Sequence, residues 1–153
     1  MQLKVIKGDI TEQDTDAIVN AANSTLLGGG GVDGAIHSKA GPALLKECRK
    51  IREESYPDGI PTGKAVITKG YGLKAGYVIH TVGPVYRKDK NRSGLLKDCL
   101  VNSLRVAENH RLKSISFPAI STGAYRYPKK ECARLMRQAF SEFDFDSIQE
   151  VRV

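Results

Sequence analysis

Two hydrophobic periods alternate along this chain. Near its start Leu3 and Val5 are separated by polar residues, the period of two that marks a strand with one buried face. Residues 17–22 (AIVNAA) are apolar everywhere except Asn20 and predict a strand buried on both faces apart from that residue. After a glycine-rich stretch, residues 33–40 and 42–55 predict two helices punctuated by Gly41. Residues 64–69 (KAVITK) and 77–82 (YVIHTV) predict two strands around a glycine-rich turn. In the last third, Leu96, Cys99, Leu100, Leu104 and Ala107 share one helical face, and Cys132, Leu135, Met136, Ala139, Phe140 and Phe143 share another. Between these helices residues 114–119 (SISFPA) predict a short core strand, and residues 148–153 alternate as a final one. Strands interleaved with helices of this length require crossover connections, which place helices on both faces of a mostly parallel sheet. The expected fold class is three-layered α/β, in a single domain over residues 1–153.

Composition narrows the picture. At 153 residues and 41% hydrophobic, the chain can bury one core without disulfides or a structural metal. No apolar run exceeds three residues and the first ten hold no signal-like stretch, so neither a membrane span nor a secretory signal is expected. A cytoplasmic monomer is the corresponding expectation. Cys48, Cys99 and Cys132 are far apart, with no CxxC and no nearby pair of histidines, which predicts buried free thiols and no metal site. The net charge of +7 is uneven: residues 1–76 carry 10 basic and 9 acidic groups, residues 77–153 carry 14 and 8. Such a second half attracts anions, from a nucleotide to a nucleic acid.

Four loops at strand ends gather the unusual residues, and in an open α/β sheet ligands bind in the crevice outside the carboxyl ends of the strands. In Gly8-Asp9-Ile10-Thr11, the Asp9 carboxylate can accept from an exocyclic amino group while the next backbone N–H donates to a ring nitrogen, a pairing that suits adenine; Asp9 can also simply cap a short helix. In the second loop, Asn20-Ala21-Ala22-Asn23 closes a strand and Gly28–Gly31 with Val32, Asp33 and Gly34 opens a helix. Successive glycines bring backbone N–H groups to an anion without Cβ obstruction, and the helix N-terminus adds partial positive charge. This is a phosphate cradle. It is not a dinucleotide fingerprint, because a gap separates it from the strand and the acidic pair Glu53-Glu54 falls on a helix. Asp33 is either a helix cap or a carboxylate at the lip of the cradle, and Asn23 is either a turn residue or its partner in holding a water or a sugar hydroxyl. The other loops are His80-Thr81-Val82-Gly83-Pro84 and Ser121-Thr122-Gly123-Ala124-Tyr125. The latter supplies hydroxyls, amides and a ring able to cover a ribose. His37, His80 and His110 read as structural.

Taken in order, Gly8–Thr11, NAAN at 20–23, GGGGVDGAI at 28–36, Pro61-Thr62-Gly63, HTVGP at 80–84 and FPAISTGAYRYP at 117–128 resemble the macrodomain family, and the VDG form of the glycine loop resembles its MacroD-type branch. The resemblance implies a three-layer α/β/α fold with a mixed, mostly parallel sheet and an ADP-ribose pocket. Asp9 and Ile10 would then meet adenine, Gly30, Gly31, Val32, Asp33 and Gly34 with Ser121, Thr122, Gly123 and Ala124 would enclose the diphosphate, and Tyr125 would pack near the distal ribose. Asn23 and Asp33 match the pair associated in that branch with metal-independent hydrolysis of ADP-ribose from acidic side chains and with deacetylation of O-acetyl-ADP-ribose. No cofactor is implied. Two departures stand out: Arg126 replaces a glycine frequent in relatives, and the helix with which relatives continue, often supplying a residue against adenine, has no counterpart after Val153. The rival expectations are a reader module that binds ADP-ribose without turnover and an RNA-binding protein. The second is disfavoured by the absence of Trp and of a basic stripe interleaved with stacking rings.

Overall fold

Alternate residues of the segment Ala17–Ala22 (β2) point to opposite sides of the sheet, and the two sets enter two separate cores. Ala17 and Val19 join Ile79 beneath one pair of helices, whereas Ile18 and Ala22 join Val78 and Val82 beneath the other. The computed structural model describes residues 1–153. In chain order, β1 (Gln2–Lys4) is followed by a 3-10 turn (Ile10–Glu12), β2, α1 (Gly31–Ala40), α2 (Pro42–Glu54), β3 (Ala65–Lys69) and β4 (Tyr77–Val82). Then come α3 (Arg92–Asn109), β5 (Ser114–Ser116), α4 (Lys129–Glu142) and β6 (Glu150–Arg152). The strands form one six-stranded sheet in the order β1-β6-β5-β2-β4-β3. All neighbours are parallel except β3, which runs antiparallel to β4.

Helices α1 and α2 cover one face through Ile36, Ala40, Leu44 and Cys48. Helices α3 and α4 cover the other with the apolar faces that the 3.6-residue period marks, from Leu96 to Ala107 and from Cys132 to Phe140. Phe143 lies one position beyond α4, as its C-terminal cap, and packs against this core half-buried.

Three details depart from the pattern in the sequence. Leu3 is 43% exposed, because β1 is an edge strand paired only with β6 and covered by neither helix layer. The predicted SISFPA strand is paired only over Ser114–Ser116. Pro118 has no N–H for a ladder, and the chain turns away after Phe117, whose N–H still donates to the Arg152 carbonyl at 2.8 Å.

The third departure is Asn20, which is fully buried. It faces α1, side by side with His80 on β4. The Asn20 amide donates to His80 Nδ1 at 3.1 Å, so that ring nitrogen is the acceptor and Nε2 carries the proton, donating to Thr68 Oγ1 on β3 at 2.9 Å. His80 is thus the structural histidine the sequence suggests, and burial pushes its imidazole from an ordinary 6.5 down to about 3.

This has a measurable consequence. Between those two values the unfolded chain binds a proton that the folded chain refuses, so stability is full above pH 6.5 and falls as the pH drops toward 3. Urea unfolding between pH 4.5 and 7 should therefore show stability rising with pH, by at most about 1.4 kcal/mol per pH unit from this group. His80→Asn, which keeps an acceptor at the Nδ1 position, should flatten that rise. An unchanged slope in the variant would mean that another group titrates there.

Candidate functional site

The loops that leave the carboxyl ends of the parallel strands line one continuous cleft. Its larger part, about 580 Å³, is bounded by Ala21, Ala22 and Asn23 after β2, Gly29–Asp33 at the start of α1, Gly83 after β4, and Pro118, Ala119 and Ser121–Tyr125 after β5. Its other part, about 500 Å³, is bounded by Ile6, Gly8, Asp9, Ile10 and Gln13, by Phe117, and by Arg152 and Val153 at the end of β6. Gly31, Val32, Pro118 and Ala119 line both parts and so join them. Volumes of this size suit a ligand of a few hundred cubic ångströms that reaches across two compartments.

In the second compartment Asp9 does both things the sequence allows. Its Oδ1 caps the 3-10 turn, accepting from Thr11 N at 2.9 Å and Thr11 Oγ1 at 2.8 Å, and the residue still borders the cleft beside Ile10. These two bonds, the backbone one foremost, hold its carboxyl below the usual carboxylate range. It therefore stays an acceptor at neutral pH, with Oδ2 unengaged by the chain. No aromatic side chain other than Phe117 lines this compartment, and Arg152, held by Asp14, Gln13 and Glu150, forms part of its wall.

In the first compartment the glycines place backbone at the start of α1. Gly30 is the N-terminal cap and makes no side-chain bond, so the first amides of the helix and the positive end of its dipole are unscreened by any cap. Gly29 sits where a Cβ would come within 3.1 Å of Asn23 Nδ2 and 3.3 Å of Asp33 Oδ2. A side chain there would wedge the two apart. Gly34 lines neither compartment, although it belongs to the same motif: a Cβ on it would lie 2.4 Å from the Gly29 carbonyl oxygen, so its part is to let the glycine loop rest on the helix.

Asp33 is not the helix cap, and it lines the larger compartment from a buried position and not from an exposed lip. It occupies the first turn of α1 and is only 4% exposed. Its Oδ1 accepts from the Asn20 amide at 2.8 Å and has His37 Nε2 at 3.3 Å, one turn along the helix. Its Oδ2 is buried with no partner in the chain. A buried carboxylate oxygen left in this way costs roughly 1–3 kcal/mol or more, which a bound water or hydroxyl would offset. Asn23 is a turn residue and a cleft residue together. Its Oδ1 accepts from Thr25, its Nδ2 donates to the Gly28 carbonyl at 3.0 Å, and it borders the larger compartment together with Asp33.

Opposite the glycines, Ser121 adopts φ +66°, a left-handed conformation strained for serine, and its buried Oγ also has no partner. Gly83 of the HTVGP loop makes this possible, since a Cβ on it would fall 2.1 Å from Ser121 Oγ. Thr122, Gly123, Ala124 and Tyr125 complete that wall. The structure thus brings the predicted residues of the glycine loop and of Ser121–Tyr125 into one compartment, apart from Gly34, and Asp9 and Ile10 into the next. Sequence reasoning names Asn20, Gly29 and Gly83 only as members of their loops and His37 as structural; it does not foresee that Asn20 and His37 touch Asp33 or that Gly29 and Gly83 make room for the groups around the cleft. The spacing of NAAN is the available signal: its two asparagines lie three apart, one inside the strand and one just past its end.

Known proteins resemble this chain over almost its whole length. A Macro domain-containing protein of Streptomyces coelicolor is 55% identical over 133 residues, covering 87% of this chain and 79% of the relative. An O-acetyl-ADP-ribose deacetylase of Escherichia fergusonii is 51% identical over 143 residues, covering 93% and 80%. The Oceanobacillus iheyensis macrodomain, solved with ADP, superposes with a TM-score of 0.95 at 45% identity, covering 99% of this chain and 81% of that one. The family model of the Macro domain matches residues 19–136, from β2 through the middle of α4 and including the glycine loop and the Ser121–Tyr125 wall, and the chain belongs to this family.

Proposed function

We propose that the protein binds ADP-ribose and hydrolyses its esters, releasing mono-ADP-ribose from acidic side chains or acetate from O-acetyl-ADP-ribose. The observation that carries this reading is the buried, unpartnered Asp33 Oδ2, which with Asn23 flanks the side-chain-free Gly29. A module that only holds a diphosphate gains nothing from an anion so close to it, since like charges at this range repel. The two-compartment cleft, the relative solved with ADP and the relative named for deacetylating O-acetyl-ADP-ribose support the ligand class.

In this reading adenine lies in the second compartment, with Asp9 accepting from its amino group and the Ile10 amide donating to a ring nitrogen. The diphosphate crosses the shared wall, where the amides of Gly30, Gly31 and Val32 at the positive end of α1 face those of Ser121–Ala124. The distal ribose then reaches Asn23 and Asp33, with Tyr125 against it. Asn23 orients a ribose hydroxyl and Asp33 Oδ2 takes a proton from the attacking water. The water oxygen bonds to the ester's reacting carbon, the carbon–oxygen bond breaks, and the proton passes from Asp33 to the departing group, so that a carboxylic acid and ADP-ribose leave. Holding both reactants in this way supplies several kcal/mol of barrier reduction. No step requires a metal. The buried, unpaired Cys48, Cys99 and Cys132 suit the reducing cytoplasm we propose as its location.

Three outcomes follow. ADP-ribose at ~100 times its dissociation constant should raise stability by about 2.7 kcal/mol, and Asp9→Ala should reduce the gain. A melting temperature that millimolar ADP-ribose leaves unmoved would remove the pocket assignment, and equal shifts in both proteins would move adenine elsewhere. Dialysis against a strong chelator should leave hydrolysis unchanged, while loss restored by zinc or magnesium would overturn the metal-free mechanism. Finally, Asp33→Ala should slow release of ADP-ribose from a Glu-linked substrate by roughly 10² or more, with ADP-ribose binding retained or tighter. Asn23→Ala should impair both, because it also contributes to ground-state binding. Wild-type turnover in Asp33→Ala would return Asp33 to a structural role.

A further inference from the structure

Five of the seven net positive charges sit on two short segments beside the distal end of the cleft. Residues 85–92 and 125–131 carry Arg87, Lys88, Lys90, Arg92, Arg126, Lys129 and Lys130 against Asp89 and Glu131. The segments are tied together at the mouth of the larger compartment. Tyr86 N donates to the carbonyl of Tyr125, which lines the cleft, at 2.9 Å. The Tyr86 ring packs edge-on against Tyr127 with centroids 5.1 Å apart, and Arg92 lies 4.0 Å over the same ring. All seven basic residues are exposed except Arg92, which is half-buried on Tyr86.

None of these seven takes part in an ion pair, which is equally true of many basic residues elsewhere; what sets them apart is that seven cations crowd into two short segments held side by side. Asp89, the one acid within the first segment, is occupied by the Val85 amide at 2.8 Å. Lys129 and Lys130 open α4, at the positive end of its dipole, where cations are unfavourable. Arg92 stacks on Tyr86 and donates to its carbonyl, but no hydrogen bond or ion pair within the fold engages the other six side chains, and the cluster repels itself. An anionic partner would relieve it.

We infer that this rim recognises the protein part of the substrate, and that the favoured substrates carry ADP-ribose on an acidic residue with further Asp or Glu residues close by in the chain. The inference rests on the ester-hydrolase reading, because only there is the attached group a polypeptide side chain leaving past Tyr125. A carboxylate-rich segment fits better than a nucleic acid. Tyr127 is buried, Tyr86 is packed against Tyr127 and stacked by Arg92, and the one other ring of the cluster, Tyr125, faces into the cleft, so the cations are not interleaved with rings for bases to stack on. Arg126 adds its cation directly after Tyr125.

The test uses two peptides with one ADP-ribosylated Glu, flanked in one by Asp and Glu and in the other by Ser and Gly, each also made with a non-hydrolysable linkage. Wild type should bind and turn over the acidic peptide roughly tenfold better at low salt, with the advantage shrinking as ionic strength rises. Arg87→Glu/Lys88→Glu/Lys90→Glu should abolish the preference while the rate on O-acetyl-ADP-ribose, which has no peptide, stays at the wild-type level. Equal binding of the two peptides by wild type would overturn the inference. So would an equal loss by the variant on both peptides and the small ester, or competition by a single-stranded oligonucleotide stronger than by oligo-glutamate. If acidic preference appears with the non-hydrolysable peptides but no peptide or ester is cleaved, the rim stands and the hydrolase reading fails.

Discussion

The hydrogen bond from Asn20 to Asp33 joins the sheet to the helix that carries the glycine loop, and the geometry of the cleft depends on it. It buries a carboxylate at the start of α1, where the helix dipole favours the negative charge. It also decides which oxygen is left over. Oδ1 is turned toward Asn20 and His37, so Oδ2 is the atom that shares with Asn23 the space left open at Gly29. Behind it the same amide reaches His80, and His80 reaches Thr68, so a polar line crosses β2, β4 and β3 on one face of the sheet. Inside a low-dielectric core such a line has few alternative arrangements, because each proton already has a place.

The glycines complete what this bond begins. Once Asp33 is anchored from below, the loop above must come close enough for backbone amides to meet a ligand and still leave Asn23 and Asp33 in reach of one another. Gly29 satisfies the second demand and Gly34 the first, by letting the Gly29 carbonyl lie on α1. On the opposite wall Gly83 makes room for Ser121 to hold a strained backbone with its hydroxyl unpaired. Three glycines from two separate motifs thus serve close approach, which is a steric role and not one of flexibility.

Hydrophobic period was a sound guide wherever burial is apolar. The boundaries of β2 and β4 coincide with the AIVNAA and YVIHTV segments, and the apolar faces of α3 and α4 are those the spacing marks. It misled where burial and hydrophobicity part company. Asn20 looks like the one wet position of β2, yet it is fully buried, with both hydrogens of its amide group taken by Asp33 and His80 and its Oδ1 left unpartnered. Leu3 looks like a core residue, yet an edge strand that neither helix layer covers leaves it exposed. The cleft was legible as a set of loops because glycine, asparagine and aspartate cluster at strand ends. Which of those residues touch, and that His37 and Asn20 stand behind Asp33, is tertiary information that one sequence does not carry.

Charge follows the same division between groups that are satisfied within the fold and groups that are not. Around the second compartment the cations are matched: Lys39 and Lys74 both pair with Glu12, and Arg152 pairs with Asp14 and Glu150. Glu12 is held down to about 2 by those two lysines, so this end of the cleft keeps its pairs through any physiological pH. At the far end, beyond Tyr125, the cations have no such partners. The field along the cleft therefore rises from the Asp9 side toward Tyr125, and an anion approaching from solvent is drawn to the end where Asn23 and Asp33 lie. Within that field Asp33 is an opposing charge at short range, set by the Asn20 bond and not by the surface. For the ADP-ribose proposed above, long-range attraction and short-range repulsion would then act on different parts of one ligand, favouring entry of the anionic chain and disfavouring a diphosphate seated directly against the carboxylate, so that the neutral ribose is the part suited to that place.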